Sequence, residues 1–236
     1  MKPVAIFQHD HLNYPAYFGE FLRARGHAVR HVRLDLGEPV PTDVSEFSGL
    51  GFMGGVMSVN DEDVHPFLTG ELRLIRAAHG AGIPVIGHCL GGQLISKALG
   101  GRVGRNAVPE IGWHPMRKLP GAATERWLAE LPETCIALQW HTETFTVPAG
   151  AEAMLTSEHC ENQAFAIGNC LALQAHVEVT ADVIDNWIGE SGADLTPAAG
   201  HVQGVEDLRA GAKIHAGSLR RLANALYGRW VSLLRP

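Results

Sequence analysis

Between Ile83 and Gly100 the chain passes from an apolar stretch, Ile83-Pro84-Val85-Ile86, through Gly87-His88-Cys89 into Leu90-Gly91-Gly92-Gln93-Leu94-Ile95-Ser96-Lys97-Ala98-Leu99. A short continuous apolar run bounded by turn residues reads as a strand buried on both faces, and the segment after it has helical character. Strand, sharp turn and helix in direct succession constrain the fold strongly. Such units pack as parallel strands with helices across the sheet, which makes the chain an α/β protein.

The flanking segments repeat the pattern. Pro3–Gln8 reads as an apolar strand running into His9-Asp10-His11, and Ala16–Arg25 as a helix with Phe18, Phe21 and Leu22 on one side and Gly26 as its stop. His27–Leu34 alternates as a strand with one buried face, residues 35–48 read as a Pro- and acid-rich loop, and Gly49–Met53 is a brief strand ending in Gly54-Gly55. A helix from about Pro66 to Ala81 carries Leu68, Leu72, Ile75 and Ala78 before Gly82. This alternation predicts a doubly wound, mostly parallel sheet with helices on both faces.

After Arg102 the character changes. Short β-like runs at Trp113–Lys118, Thr134–Gln139, Ala151–Thr156, Gln163–Ile167 and Cys170–Leu173 are separated by Pro and Gly. Val179–Ile188 returns to helix and residues 189–204 read as a loop. A last helix, Val205–Leu234, sets Leu208, Ala212, His215, Leu219, Leu222, Leu226 and Trp230 along one stripe. The expected organisation is one domain over residues 1–190, with residues 191–236 a linker and an amphipathic helix packing on it. The same stripe also suits a homodimer seam.

Composition excludes several classes. The 236 residues fit one α/β domain, and 46 % apolar with 19 % charged residues is globular rather than disordered. Nineteen Lys and Arg against 25 Asp and Glu give −6 with no basic run, so no nucleic-acid partner is expected. No apolar stretch reaches the ~18–20 residues of a membrane helix. MKPVAIFQHD turns polar too early for a signal peptide. Four cysteines without paired CxxC spacing are too few for a disulfide scaffold. The expected setting is cytoplasmic, without membrane.

Cys89 sits where a nucleophile has mechanical reason to sit. A tight strand-to-helix turn holds its side chain clear of the backbone, and Gly87 and Gly91 give strand and helix room to approach. The following helix points unpaired N–H groups and its positive end at the sulfur, which favours thiolate and can hold an oxyanion. The spacing alone also fits a buried core cysteine. A cysteine nucleophile needs a base and a group to orient it. Of 13 histidines, His176 stands out. It lies in Leu173-Gln174-Ala175-His176-Val177-Glu178, where an extended chain sends residues i and i+2 to the same side, so Glu178 can reach the ring nitrogen turned away from sulfur. That segment follows a strand, at the carboxyl edge of the sheet where α/β sites gather.

These residues resemble a known family. Gly87-His88-Cys89-Leu90-Gly91-Gly92-Gln93 is similar to the nucleophile elbow of class I glutamine amidotransferases, including the GMP synthase glutaminase domain. Gln174-Ala175-His176-Val177-Glu178-Val179-Thr180 resembles the family's Phe-His-Pro-Glu segment, and Gln139-Trp140-His141-Thr142-Glu143-Thr144-Phe145 its Trp-His-Gly-Asp-Thr-Phe element. Met53-Gly54-Gly55-Val56-Met57-Ser58-Val59-Asn60-Asp61 resembles the glycine-rich strand end that carries an oxyanion donor. Glu110-Ile111-Gly112-Trp113 and Gln163-Ala164-Phe165 are similar as well. Six elements in the family's order are far more specific than any one of them.

The resemblance implies a flavodoxin-like fold and hydrolysis of the glutamine side-chain amide by a triad of Cys89, His176 and Glu178. It implies an oxyanion hole from the backbone N–H groups of Gly55 and Leu90, with Gln93, His141, Thr142 and Glu143 at the substrate. No cofactor or metal is implied, and ammonia would pass to an acceptor or a separate synthetase subunit. His88, Val56, Ala175, Val177 and Thr142-Glu143 depart from the usual residues, the last pair in a loop bordering the pocket. Two other readings stand beside this one: a γ-glutamyl hydrolase acting on a γ-glutamyl amine or peptide, and an inactive binding or regulatory module. His88 reads as turned into a neighbouring packed layer. His9-Asp10-His11 with Asp61, Glu62, Asp63 and His65 reads as solvated polar loop rather than a metal site, because no ligand spacing is fixed. Gly91-Gly92 opens a helix but matches neither phosphate-loop pattern.

Overall fold

The computed structural model describes residues 2–191, 195, 197–198 and 200–235. In chain order the elements are β1 (Val4–Gln8), α1 (Ala16–Ala24), β2 (Val29–Arg33), β3 (Gly49–Phe52), α2 (Phe67–Ala81), β4 (Val85–His88), α3 (Leu90–Ala98) and β5 (Val103–Lys118). There follow α4 (Ala122–Leu128), β6 (Thr134–Phe145), β7 (Glu152–Thr156), β8 (Ala164–Ile167), β9 (Cys170–Leu173), α5 (Ala181–Ser191) and α6 (Val205–Val231).

Successive side chains of a strand leave opposite faces, so a strand that is apolar throughout belongs in a sheet covered on both sides. β1 does this. Val4 and Ile6 enter one apolar cluster with Phe18, Phe21, Leu226 and Trp230, while Ala5 and Phe7 enter another with Leu68, Leu72, Ile75, Leu94 and Ile95. β9 divides in the same way, Leu171 and Leu173 to the first cluster and Cys170 and Ala172 to the second. Helices α1, α4, α5 and α6 therefore cover one face, and α2 and α3 the other.

The sheet has nine strands in the order β2-β1-β3-β4-β9-β8-β7-β5-β6. Pairing is parallel from β2 to β9 and antiparallel from β9 to β6. The doubly wound α/β architecture is as the sequence leads one to expect, and the sheet is mixed, because the β-like runs after Arg102 return as hairpins. The order reverses between β1 and β3. Their carboxyl ends, with those of β4 and β9, open one crevice at this switch point, the usual place for a site in such sheets.

Several elements differ from the sequence reading. β5 and β6 are much longer than Trp113–Lys118 and Thr134–Gln139, and they pair with a register shift between Arg105 and Glu110. Thr142 and Glu143 are thus strand residues of β6, not loop. α4 stands where no helix was expected. α5 starts at Ala181 and runs to Ser191, and residues 192–194, 196 and 199 of the expected loop lie outside the described residues.

α6 buries Leu208, Leu219, Leu222, Leu226, Tyr227 and Trp230, several of them in the cluster that holds Phe18 and Ile86. Fully burying side chains of this kind stabilises by about 1.5–3 kcal/mol each before entropy is counted. Ala212 and His215 of the stripe are half-buried, His215 against Trp113. Among the described residues no helix is long and apolar enough to cross a membrane.

Candidate active site

β4 ends at His88 and α3 begins at Leu90, leaving Cys89 alone to make the turn. It does so at φ 49°, ψ −107°, a conformation an L-residue adopts at a cost of about 1–3 kcal/mol. Two hydrogen bonds hold it there: Cys89 N–H donates to Leu173 O at 2.8 Å, and Gly91 N–H to Met53 O at 3.1 Å. The approach leaves no room for side chains at the flanking glycines. A Cβ at Gly87 would run into the Gly91 carbonyl, and one at Gly91 into the Phe52 carbonyl. The sulfur is buried, 7 % exposed, at the N-terminus of α3, where the helix dipole favours negative charge.

His176 faces this sulfur from the segment after β9. Its backbone N–H donates to Leu138 O at 2.9 Å, and its ring packs edge-on against Trp187 of α5 at 4.7 Å. Nδ1 lies 2.7 Å from Glu178 Oε1, and both side chains are about 3 % exposed. Burial by itself would depress the imidazolium, but Glu178 and then the Cys89 sulfur outweigh it and hold the His176 pKa up at about 10. Burial would raise Glu178, and the charge of His176 outweighs that too, so its carboxyl stays below the ordinary range. His176 and Glu178 therefore stand as imidazolium and carboxylate, with the Cys89 sulfur beside the ring.

Two backbone donors border the sulfur. Gly55 and Leu90 N–H find no acceptor among the described residues, and Gly55 lines a cavity of about 430 Å³ together with Cys89 and His176. Gln93, His141, Thr142 and Glu143 line the same cavity, as do Arg105, Trp140 and Trp187. Seven of the nine residues expected at the site line this cavity; Leu90 and Glu178 do not, Glu178 lying behind His176. Gln93 Nε2 donates to Glu143 O and to Gln174 Oε1, each at 3.3 Å, and Ser58 Oγ donates to Glu143 Oε2 at 2.8 Å.

His141 is less free than a substrate ligand would be. Nε2 lies 3.1 Å from Glu110 Oε2 and Nδ1 3.0 Å from Glu143 O. Glu110, wholly buried, also accepts from Ser157 Oγ at 2.7 Å and from Gln163 Nε2 at 2.6 Å. Among the described residues Glu110, His141 and Cys160 have the spacing to hold a metal ion. Their chemistry fits poorly: the carboxylate is already held by three donors, and burial pushes the Cys160 thiol up to about 11, far from the thiolate a metal takes.

The polar loop after β1 is not solvated at its first residue. His9 is 3 % exposed, with Nδ1 2.9 Å from Gly54 O and Nε2 2.9 Å from Glu71 Oε1. Asp10 caps the N–H groups of Leu12 and Asn13, Asp61 accepts from Ser58 N–H, and Glu62 pairs with Lys97 at 2.7 Å. His88 points into the other layer, its Nε2 3.0 Å from Tyr227 Oη, and burial lowers its pKa. The sequence reading missed Gln174, whose Nε2 lies 3.7 Å from Cys89 Sγ. The chain bends at Gln174 and Ala175 after β9, so the alternation of an extended strand did not mark it. Trp187 left no signal either.

The pattern of the family Glutamine amidotransferase class-I matches residues 20–190. The glutamine amidotransferase-like protein YfeJ of Salmonella typhimurium is 30 % identical over 192 residues, covering 79 % of this chain and 80 % of that protein. The GMP synthase of Aeropyrum pernix is 32 % identical over 123 residues, which are 49 % of this chain and 23 % of that protein. A crystal structure of a glutamine amidotransferase from Methylobacillus flagellatus superposes with a TM-score of 0.95 at 35 % identity, covering 100 % of this chain and 96 % of that one. One from Thermotoga maritima gives 0.87 at 28 %, with 98 % of each chain covered.

Proposed function

The chain belongs to the class I glutamine amidotransferase family, and from that premise we propose that it hydrolyses the side-chain amide of glutamine through Cys89. The observation that carries the reading is the convergence of three things on one cavity: a sulfur at a strained turn, a His176–Glu178 pair at 2.7 Å facing it, and two backbone donors without acceptors.

The Cys89 thiolate attacks the amide carbon, and the carbonyl oxygen becomes an oxyanion held by Gly55 and Leu90 N–H. Each such donor contributes on the order of 10²–10³-fold. His176, a cation beside Glu178, gives its proton to the departing nitrogen as the C–N bond breaks. Ammonia leaves and a thioester remains on sulfur. The now neutral ring takes a proton from water, the hydroxide adds to the thioester, and glutamate departs as the thiolate re-forms. Gln93 and Glu143 stand where they can hold the amino-acid end of the substrate. The ammonia passes to an acceptor or a separate synthetase subunit, and the protein works in the cytoplasm without a cofactor.

A cavity of about 430 Å³ lies within the range of sites for larger ligands. That favours a second reading, a γ-glutamyl hydrolase whose leaving group is a substituted amine. The experiment is intact mass after exposure to an electrophilic glutamine analogue, with Cys89→Ser as control. One adduct, absent in the variant and blocked by glutamine, supports the glutaminase reading. Labelling by iodoacetamide alone turns it toward the γ-glutamyl amide.

A further inference from the structure

Three successive peptides of the loop that follows β3 are each held by a different contact. Met53 O accepts from Gly91 N–H at 3.1 Å, Gly54 O lies 2.9 Å from His9 Nδ1, and Val56 N–H donates to Asp10 Oδ2 at 3.1 Å. Gly55 N–H, like those of Gly54 and Met57, has no protein acceptor among the described residues, and Gly55 lines the cavity that holds Cys89. We propose that His9, held by Glu71, is a positioning residue that orients the Gly54–Gly55 peptide so that Gly55 N–H faces the oxygen developing on the substrate. The inference rests on the Cys89 reading above.

A trans peptide is planar, and its C=O and N–H point in opposite directions. Fixing Gly54 O toward the interior therefore fixes Gly55 N–H toward the cavity. The peptide needs an anchor, because neither glycine has a Cβ to resist rotation about its neighbours. Turned over, it would aim a carbonyl lone pair at the oxyanion and reverse the sign of the interaction. Gly54 O can only accept, so Nδ1 carries the proton of this hydrogen bond. Nε2, 2.9 Å from Glu71 Oε1, keeps the ring from turning, and both side chains are wholly enclosed. Burial works against a charged His9, yet Glu71 and the Gly54 carbonyl outweigh it and raise its pKa, which keeps Nδ1 a donor. Glu71 comes from α2, so a helix with no residue in the cavity lining sets one wall of the oxyanion hole.

Two substitutions separate positioning from mere packing. In His9→Asn the side-chain amide places an N–H where Nδ1 stands, preserving the bond to Gly54 and losing Glu71. In His9→Gln the amide reaches the place of Nε2, preserving Glu71 and losing Gly54. The expected result is that His9→Gln lowers kcat for the amide by on the order of 10²-fold, the worth of one oxyanion donor. KM should hold, and so should the rate of Cys89 alkylation by iodoacetamide, which builds no oxyanion. His9→Asn should recover most of the loss. Recovery by Gln and not Asn, or a parallel fall in alkylation, overturns the proposal.

If His9→Gln does not fold, the wild type decides. In a crystal structure of its adduct with a chloroketone analogue of glutamine, the ketone oxygen should accept from Gly55 N–H while Gly54 O stays on His9. A Gly54 carbonyl that has left His9 in that adduct overturns the proposal. If no amide is cleaved and no adduct forms, the failure belongs to the functional reading. The orientation of the Gly54–Gly55 peptide in a crystal structure of His9→Gln then decides this inference: turned over supports it, unchanged refutes it.

Discussion

Glu178 Oε1 stands 2.7 Å from His176 Nδ1, and only Val177 separates the two along the chain. Two residues of extended backbone suffice to present both side chains on one face, so the pair needs no tertiary contact to be aligned, only burial to become strong. Glu178→Gln keeps an acceptor near Nδ1 but removes the charge that stabilises the imidazolium. It should lower kcat by on the order of 10²-fold and His176→Asn by up to roughly 10⁴-fold, the span of positioned acid–base catalysis. Steady-state ammonia release measures both. A Glu178→Gln enzyme at full speed would remove Glu178 from the mechanism.

The same pair sets a pH window. His176 has a folded pKa of about 10 against an ordinary 6.5. Its stabilising contribution is therefore complete below about 6.5 and is lost as pH rises through about 10. Glu178 is depressed below its ordinary 4.5, so its contribution is present above that value and lost as pH falls through the lowered one. In the proposed mechanism the imidazolium is available between these limits to protonate the leaving nitrogen. The alkaline limb of kcat/KM should fall near pH 10, and Glu178→Gln should move it downward. An alkaline limb near 6.5 in the wild type would mean that His176 does not carry it.

These features were legible because they are local. Gly87-His88-Cys89-Leu90-Gly91 encodes its turn in adjacent residues, and β1, β3 and β4 declare themselves by unbroken apolar runs. β5 was read short because Gly104, Pro109 and Gly112 interrupt any alternation, and its partner β6, not its own propensity, holds it extended. α4 has only seven residues, too few for a period to emerge. His9 looked solvated because Glu71, its partner, is 62 residues away. Charge pairs made across the fold leave no trace in spacing.

Gln93 stands between the Glu143 carbonyl and Gln174, each at 3.3 Å, and Gln174 in turn reaches the sulfur. On the proposed reading it binds the substrate rather than reacting. Gln93→Ala should raise KM by about five- to tenfold, the worth of a hydrogen bond of about 1–1.4 kcal/mol, with a smaller change in kcat. Initial rates over a glutamine series test this, and a loss confined to kcat would put Gln93 in the chemical step.

His88 adjoins Cys89 along the chain, and its ring points into the α6 layer. Its ring is wholly buried against Phe18 and Tyr227, at centroid distances of 5.5 and 5.8 Å. His88→Ala leaves a cavity beneath α6 and should cost about 2–4 kcal/mol of stability. Tyr227→Phe, which takes the hydroxyl from His88 Nε2, should cost about 1–2 kcal/mol. Urea unfolding gives both numbers. Turnover per alkylatable Cys89 should change far less than stability, and the reverse result would make His88 part of the chemistry.

Glu110 shows why metal spacing is not a metal site. Its two oxygens receive Ser157 Oγ, Gln163 Nε2 and His141 Nε2 at 2.7, 2.6 and 3.1 Å. Burial would raise this carboxyl, but the bonds from His141 and Ser157 bring it below the ordinary 4.5. The stability it supplies is therefore present above about 4.5 and lost as pH falls through the lowered value. An ion would have to displace those donors and deprotonate Cys160 as well. Adding zinc or a chelator at neutral pH should accordingly leave Tm unmoved. Glu110→Ala, by contrast, strands three donors and releases the ring that holds the Glu143 carbonyl, and should cost about 3–5 kcal/mol. A rise in Tm with zinc that disappears in Glu110→Ala would reassign the cluster as a metal centre.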